Sequence, residues 1–172
     1  MSGADLWVLP LDASDPDHPK AGPPELFLRT PSNETRPAFS PDGRWVAYLS
    51  NETGANEVYV RGAASSPGAA GKWQVSSEGG GTAIWSRNGR ELFYLRDSQI
   101  MVADYTVTGS SFEASKPRVW SNQRLFLTAF TNFDLAPDGR QFAIVPDSSA
   151  SPAEVRVTML LNFFDELRRR LP

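Results

Sequence analysis

Phe39-Ser40-Pro41-Asp42-Gly43-Arg44 is followed at once by Trp45-Val46-Ala47-Tyr48-Leu49, a hydrophobic run of strand character. The phrase returns as Trp85-Ser86-Arg87-Asn88-Gly89-Arg90 ahead of Glu91-Leu92-Phe93-Tyr94-Leu95. It returns again as Leu135-Ala136-Pro137-Asp138-Gly139-Arg140 ahead of Gln141-Phe142-Ala143-Ile144-Val145. Counted between Asp42, Asn88 and Asp138, the copies lie 46 and 50 residues apart. A fixed long period of this kind marks repeated supersecondary units.

Within each copy the residue types fit a type I turn closed by a left-handed glycine, a three-residue hairpin with a bulge. Proline presets its own φ and glycine accepts a positive one. Pro41, Asp42, Gly43, Asn88, Gly89, Pro137, Asp138 and Gly139 are therefore assigned to turn formation. Arg87 replaces the proline in the second copy, which loosens the turn but leaves the strong hairpin pair Asn88-Gly89.

A further strand follows each hydrophobic run across a polar loop: Glu57-Val58-Tyr59-Val60, Gln99-Ile100-Met101-Val102 and Glu154-Val155-Arg156-Val157. Asp5-Leu6-Trp7-Val8 repeats this strand with no hairpin before it. Shorter strands, Pro24 to Thr30, Lys72 to Ser76 and Arg118 to Trp120, close the units. Four antiparallel strands per repeat of about 40–50 residues is the arithmetic of a β-propeller blade. A β-sandwich would show no fixed long period.

The expected fold is all-β, a single partial propeller of about three and a half blades. It comprises a half blade over 5–30, blades over 36–76 and 82–121, an incomplete blade over 132–160, and a C-terminal helix over 161–170. The helix is read from Leu160, Leu161, Phe163, Phe164, Leu167 and Leu171, with Asn162 as N-cap, Asp165 and Glu166 early, and Arg168, Arg169 and Arg170 late. Residues 12–24 (with Pro16, Pro19, Pro23 and Pro24), 62–71 and 146–153 read as surface connections. Because closed propellers need about 4–8 blades, the sequence is expected to be the C-terminal piece of a longer protein, or one of two copies that close a ring.

Composition narrows the function classes. The chain has 172 residues, 40% of them hydrophobic, enough for one domain with a sizeable core. A net charge of −3 gives no basic footprint for nucleic acid. Without cysteine there is no disulfide, thiol nucleophile or thiolate metal site, and the compartment stays open between cytoplasm and periplasm. No run approaches the ~20 apolar residues of a membrane span, and the first residues do not read as an export signal.

At Ser-Pro-Asp-Gly-Arg followed by Trp-Val-Ala-Tyr, the chain resembles the TolB-like propeller repeat, a relative of the WD repeat, from Asp5 to about Asn162. Gly71-Lys72-Trp73-Gln74-Val75-Ser76, the segment Ile84 to Tyr94 and the ending Leu161-Asn162-Phe163-Phe164-Asp165-Glu166-Leu167 look most like the C-terminal propeller regions of bacterial serine/threonine kinases. The resemblance implies a non-catalytic scaffold for protein–protein interaction or ligand sensing. The alternatives are an accessory or gating propeller of a prolyl oligopeptidase-type peptidase, and a propeller-based lyase or hydrolase. Partners implied are a protein, the remainder of the propeller, or a second copy. The kinase Gly-rich loop, His-Arg-Asp and Asp-Phe-Gly motifs do not occur, so no kinase role transfers to any residue.

Candidate chemistry is sparse, and no catalytic, cofactor-binding or metal-ligating residue is assigned. His18 is the sole histidine, in a loop with Asp12, Asp15 and Asp17 that lacks the glycine hinge and closing Glu of a calcium loop. Asp42 and Asp138 sit at equivalent turns of different repeats, where an Asp serves backbone hydrogen bonding. Trp7, Trp45, Trp73, Trp85 and Trp120 are expected to fill space between blades. Asn33-Glu34-Thr35 and Asn51-Glu52-Thr53 match the glycosylation pattern but read as turn residues.

Overall fold

The computed structural model describes residues 3–63, 71–126, 128 and 131–147. In chain order these form β1 (Leu6–Val8), β2 (Leu11–Asp12), β3 (Lys20–Ala21), β4 (Glu25–Leu28), β5 (Glu34–Phe39), β6 (Trp45–Ser50), β7 (Glu57–Gly62) and β8 (Lys72–Gln74). They continue with β9 (Ala83–Trp85), β10 (Glu91–Arg96), β11 (Gln99–Thr108), β12 (Ser111–Ala114), β13 (Arg118–Val119), β14 (Phe133–Leu135) and β15 (Phe142–Ile144). The protein is all-β, and every pairing is antiparallel. Among the described residues there is no helix, and so none long and apolar enough to cross a membrane. The helix expected over 161–170, the strand Glu154–Val157 and most of the 62–71 loop lie outside the described residues.

The first complete sheet runs β5-β6-β7-β8. The second runs β9-β10-β11, with β13 on one stretch of the long β11 and β12 on the other. Two-stranded sheets, β1-β4 before them and β14-β15 after them, complete the series.

Strand periodicity explains how the sheets stack. Trp45, Ala47 and Leu49 of β6 point to one face, with Val58 and Val60 beside them, and meet Trp85, Leu92, Tyr94, Met101 and Ala103 of the second sheet in one core. Tyr48 and Tyr59 point to the opposite face and close a second core with Leu6 and Leu28 of β1-β4. Phe93, Ile100 and Val102 turn away from the first sheet to meet Phe133 and Leu135 of β14-β15. Each complete sheet is buried on both faces, which is why β6 reads as an unbroken apolar run instead of an alternating one.

Several expectations need correction. The connection over 12–24 contains a small hairpin, with Leu11 paired to Ala21 and Asp12 to Lys20. The third strand of the second repeat does not stop at Val102. Ala103 to Thr108 continue it, and a two-residue turn at Gly109 (φ +60°) and Ser110 returns the chain as β12, which sends Phe112 into the core between the sheets. The alternation Tyr105, Val107, Phe112 against Thr106, Thr108 is the local signal for this extension. Trp45, Trp73 and Trp85 pack between the first two sheets, and Trp120, although 47% exposed, packs on Phe93 and Phe142 of the second and last sheets; Trp7, at 52% exposed, is the exception.

The edge strand β5 is irregular. Its pairing with β6 shifts register between Thr35 and Ala38, and Arg36 adopts φ +52° immediately before Pro37. Such a bulge turns the strand and re-aims the residues beyond it, here Ala38 and Phe39.

Candidate binding cleft

The repeated turn is a device in which a side chain stands in for backbone. Gly43 N donates to Ser40 O (2.9 Å), closing the turn with Gly43 at φ +69°. The Ser40 hydroxyl donates to Asp42 Oδ1 (2.6 Å) and accepts from Trp45 N (3.0 Å), while Arg44 N also donates to Asp42 Oδ1 (3.1 Å). The second copy repeats every contact. Ser86 donates to Asn88 Oδ1 (2.5 Å) and accepts from Glu91 N (3.0 Å), and Arg90 N donates to Asn88 Oδ1 (2.9 Å).

The ladder closes between Ser40 and Trp45, not Arg44, so the connection holds four residues rather than the expected three. The serine hydroxyl supplies the acceptor that lets the extra residue fit. In the third copy Asp138 Oδ1 still accepts from Arg140 N (3.0 Å), but Ala136 has no hydroxyl for Gln141 N.

Stacking the first two sheets sets two of these turns side by side, and two clefts meet there. The first, of about 510 Å³, is lined by Ala38, Phe39, Pro41, Ala83, Ile84, Trp85 and Arg87. The second, of about 560 Å³, is lined by Pro41, Asp42, Arg87, Asn88, Gly89, Tyr105, Thr106 and Val107. Pro41 and Arg87 line both, so the two clefts adjoin at the hairpin tips, one on the side of β5 and β9 and the other on the side of β11.

The walls are held from several directions. The Trp85 indole N–H donates to Ala38 O (2.9 Å), tying β9 to β5, and its ring packs edge-on against Tyr105 with centroids 5.1 Å apart. Arg36 donates to the Thr82 hydroxyl at the start of the same pair of strands. Phe39 is 55% exposed, an aromatic ring left at the rim.

The electrostatics separate two kinds of polar group. Partial burial pushes the Asp42 carboxyl up. The Ser40 hydroxyl, the Arg44 amide and the Arg44 guanidinium outweigh that push and leave its pKa below the ordinary value. Burial raises the Tyr105 phenol to about 12, with the Asp42 charge adding to the shift. Both groups are committed, Asp42 to its turn and Tyr105 to the neutral form. Among the described residues the exposed Arg87 guanidinium has neither a carboxylate nor a hydrogen-bond partner.

The sequence candidates do not converge. Asp42 lines the second cleft, but Asp138 belongs to the turn of the last sheet, with the second sheet between them. His18 Nδ1 lies 3.2 Å from Asp15 Oδ2 in an exposed turn, where Asp12 and Asp15 accept from Ser14 N and Asp17 N. No cluster of three or more metal-ligating side chains occurs among the described residues. Asn33 and Asn51 spend their side-chain carbonyls on Ala4 N and Asn33 N, fixing the chain where β1 meets the first sheet.

Phe39 opens the repeated phrase, as Trp85 does in the second copy, but nothing in the phrase marks it as exposed; Tyr105 lies outside any motif, and the placement of both comes from packing. Arg87 does carry a signal: it stands where the other two repeats have proline. No protein-family model matches the chain, and no curated protein matches it.

Proposed function

We propose that this chain is a segment of a β-propeller that works as a non-catalytic platform, binding a protein partner through the cleft between its first two repeats. The observation that carries this reading is the meeting of two clefts at Pro41 and Arg87, rimmed by an exposed Phe39. Repeated antiparallel sheets stacked face to face, the two complete ones of four and five strands, support the propeller reading, because each unit buries its apolar faces only against its neighbours. An aromatic ring and an unpaired cation beside a concave surface are the residue types that dominate binding energy at protein interfaces.

A photo-cross-linking amino acid at position 39, with one at exposed His18, which lines neither cleft, as control, tests the proposal. The platform reading expects a discrete cross-linked protein from position 39 and not from position 18. Equal labelling from both positions, or none from 39, overturns it.

A further inference from the structure

We infer that the cleft recognises an acidic side chain followed by an aromatic or aliphatic one in an extended segment of a partner protein, with Arg87 holding the carboxylate. This deepens the proposed platform function and rests on it.

The repeat itself supplies the first reason. Where Pro41 and Pro137 preset their turns, the second copy carries an arginine that its own turn does not need: Ser86, Asn88, Gly89 and Arg90 make the same bonds without it. The guanidinium lines both clefts and has no partner among the described residues. Phe39, Pro41 and Ile84 supply apolar surface on one side of it.

A guanidinium binds a carboxylate in a planar two-bond fork, which gives orientation as well as attraction. The apolar wall then accepts the neighbouring side chain. A polyanion such as a nucleic-acid strand fits poorly, since it needs several phosphate-binding cations along its length.

The experiment uses the full chain and fluorescein-labelled, terminally blocked octapeptides of neutral flanks with a central Glu-Phe, Lys-Phe or Glu-Ser pair, read by anisotropy at low and physiological salt. Glu-Phe is expected to bind roughly tenfold to a hundredfold more tightly than Lys-Phe, a difference of the size that a charge-assisted pair produces. Glu-Ser is expected to bind more weakly than Glu-Phe, and salt to weaken the Glu-Phe complex.

Arg87→Pro restores the residue of the sister turns, so the fold is retained, as circular dichroism and melting will report, while the Glu over Lys preference disappears. Equal binding of Glu-Phe and Lys-Phe, binding unaffected by Arg87→Pro, or no binding of any peptide overturns the inference. If cross-linking from position 39 still captures a protein in that case, the platform reading stands and only the carboxylate specificity falls. If cross-linking fails while Glu-Phe binds, the cleft takes acidic peptides but is no site for a folded partner.

Discussion

Trp85 donates its indole N–H to the carbonyl oxygen of Ala38 at 2.9 Å, a bond between strands of two different sheets. With the Arg36–Thr82 and Arg44–Gly109 bonds it ties the first and second repeats through side chains, not a ladder, beside the cleft between them.

Trp85→Phe therefore tests both stability and site geometry. It removes the donor while keeping a ring against Tyr105 and Phe112. The loss of this bond and of part of the ring's packing is expected to cost about 2–3 kcal/mol, measured by urea unfolding. A variant within about 0.5 kcal/mol of the parent would mean that the bond does little to tie the repeats together.

The serine of the turn makes a reciprocal prediction. Ser40→Ala removes the acceptor of Trp45 N and is expected to destabilise by about 1–2 kcal/mol. Ala136→Ser offers the missing acceptor to Gln141 N in the third turn and is expected to stabilise by up to about 1 kcal/mol. Opposite signs in thermal melts support the device, and two changes of the same sign refute it.

Two glycines are constrained for different reasons. At Gly43 a Cβ would meet nothing within 4 Å, so Gly43→Ala costs only the left-handed backbone, about 1–2 kcal/mol. At Gly80 a Cβ would lie 2.9 Å from the backbone nitrogen of Val58, which cannot move without opening β7. Gly80→Ala is expected to cost more, about 2–3 kcal/mol, with the two compared by denaturant midpoint.

Alkaline pH should expose the buried phenols. Burial raises Tyr94 and Tyr105 to about 12 and pushes Tyr48 up further still, whereas unfolded tyrosines titrate at about 10. A folded pKa above the unfolded one gives stability that is complete below pH 10 and declines as pH rises toward 12, because the unfolded chain releases its protons first. Urea midpoints should be flat up to about pH 9.5 and fall beyond it, and Tyr105→Phe should make that fall shallower.

What the sequence revealed is what neighbouring residues decide among themselves. The turn at Pro41-Asp42-Gly43 could be read because its bonds run within Ser40 to Trp45, and the strand after it because burial on both faces leaves no polar gap. The extension of β11 into β12 was hidden by the period itself, which predicts a strand end at Val102 although Tyr105, Val107 and Phe112 alternate beyond it. The hairpin of Leu11-Asp12 with Lys20-Ala21 is too short to leave a pattern. Arg87 was visible as an exception, but its meaning depends on Phe39 and Tyr105, which arrive from other strands only after stacking.

The irregularity in β5 bears on the company the protein keeps. A sheet ending in a straight strand offers a row of open donors and acceptors on which another chain can polymerise. Here that row is interrupted by Pro37, which has no N–H to give, and by Arg36, whose left-handed backbone turns its neighbours out of line. The rim of the cleft can thus present side chains to a partner without also acting as a template for amyloid-like growth.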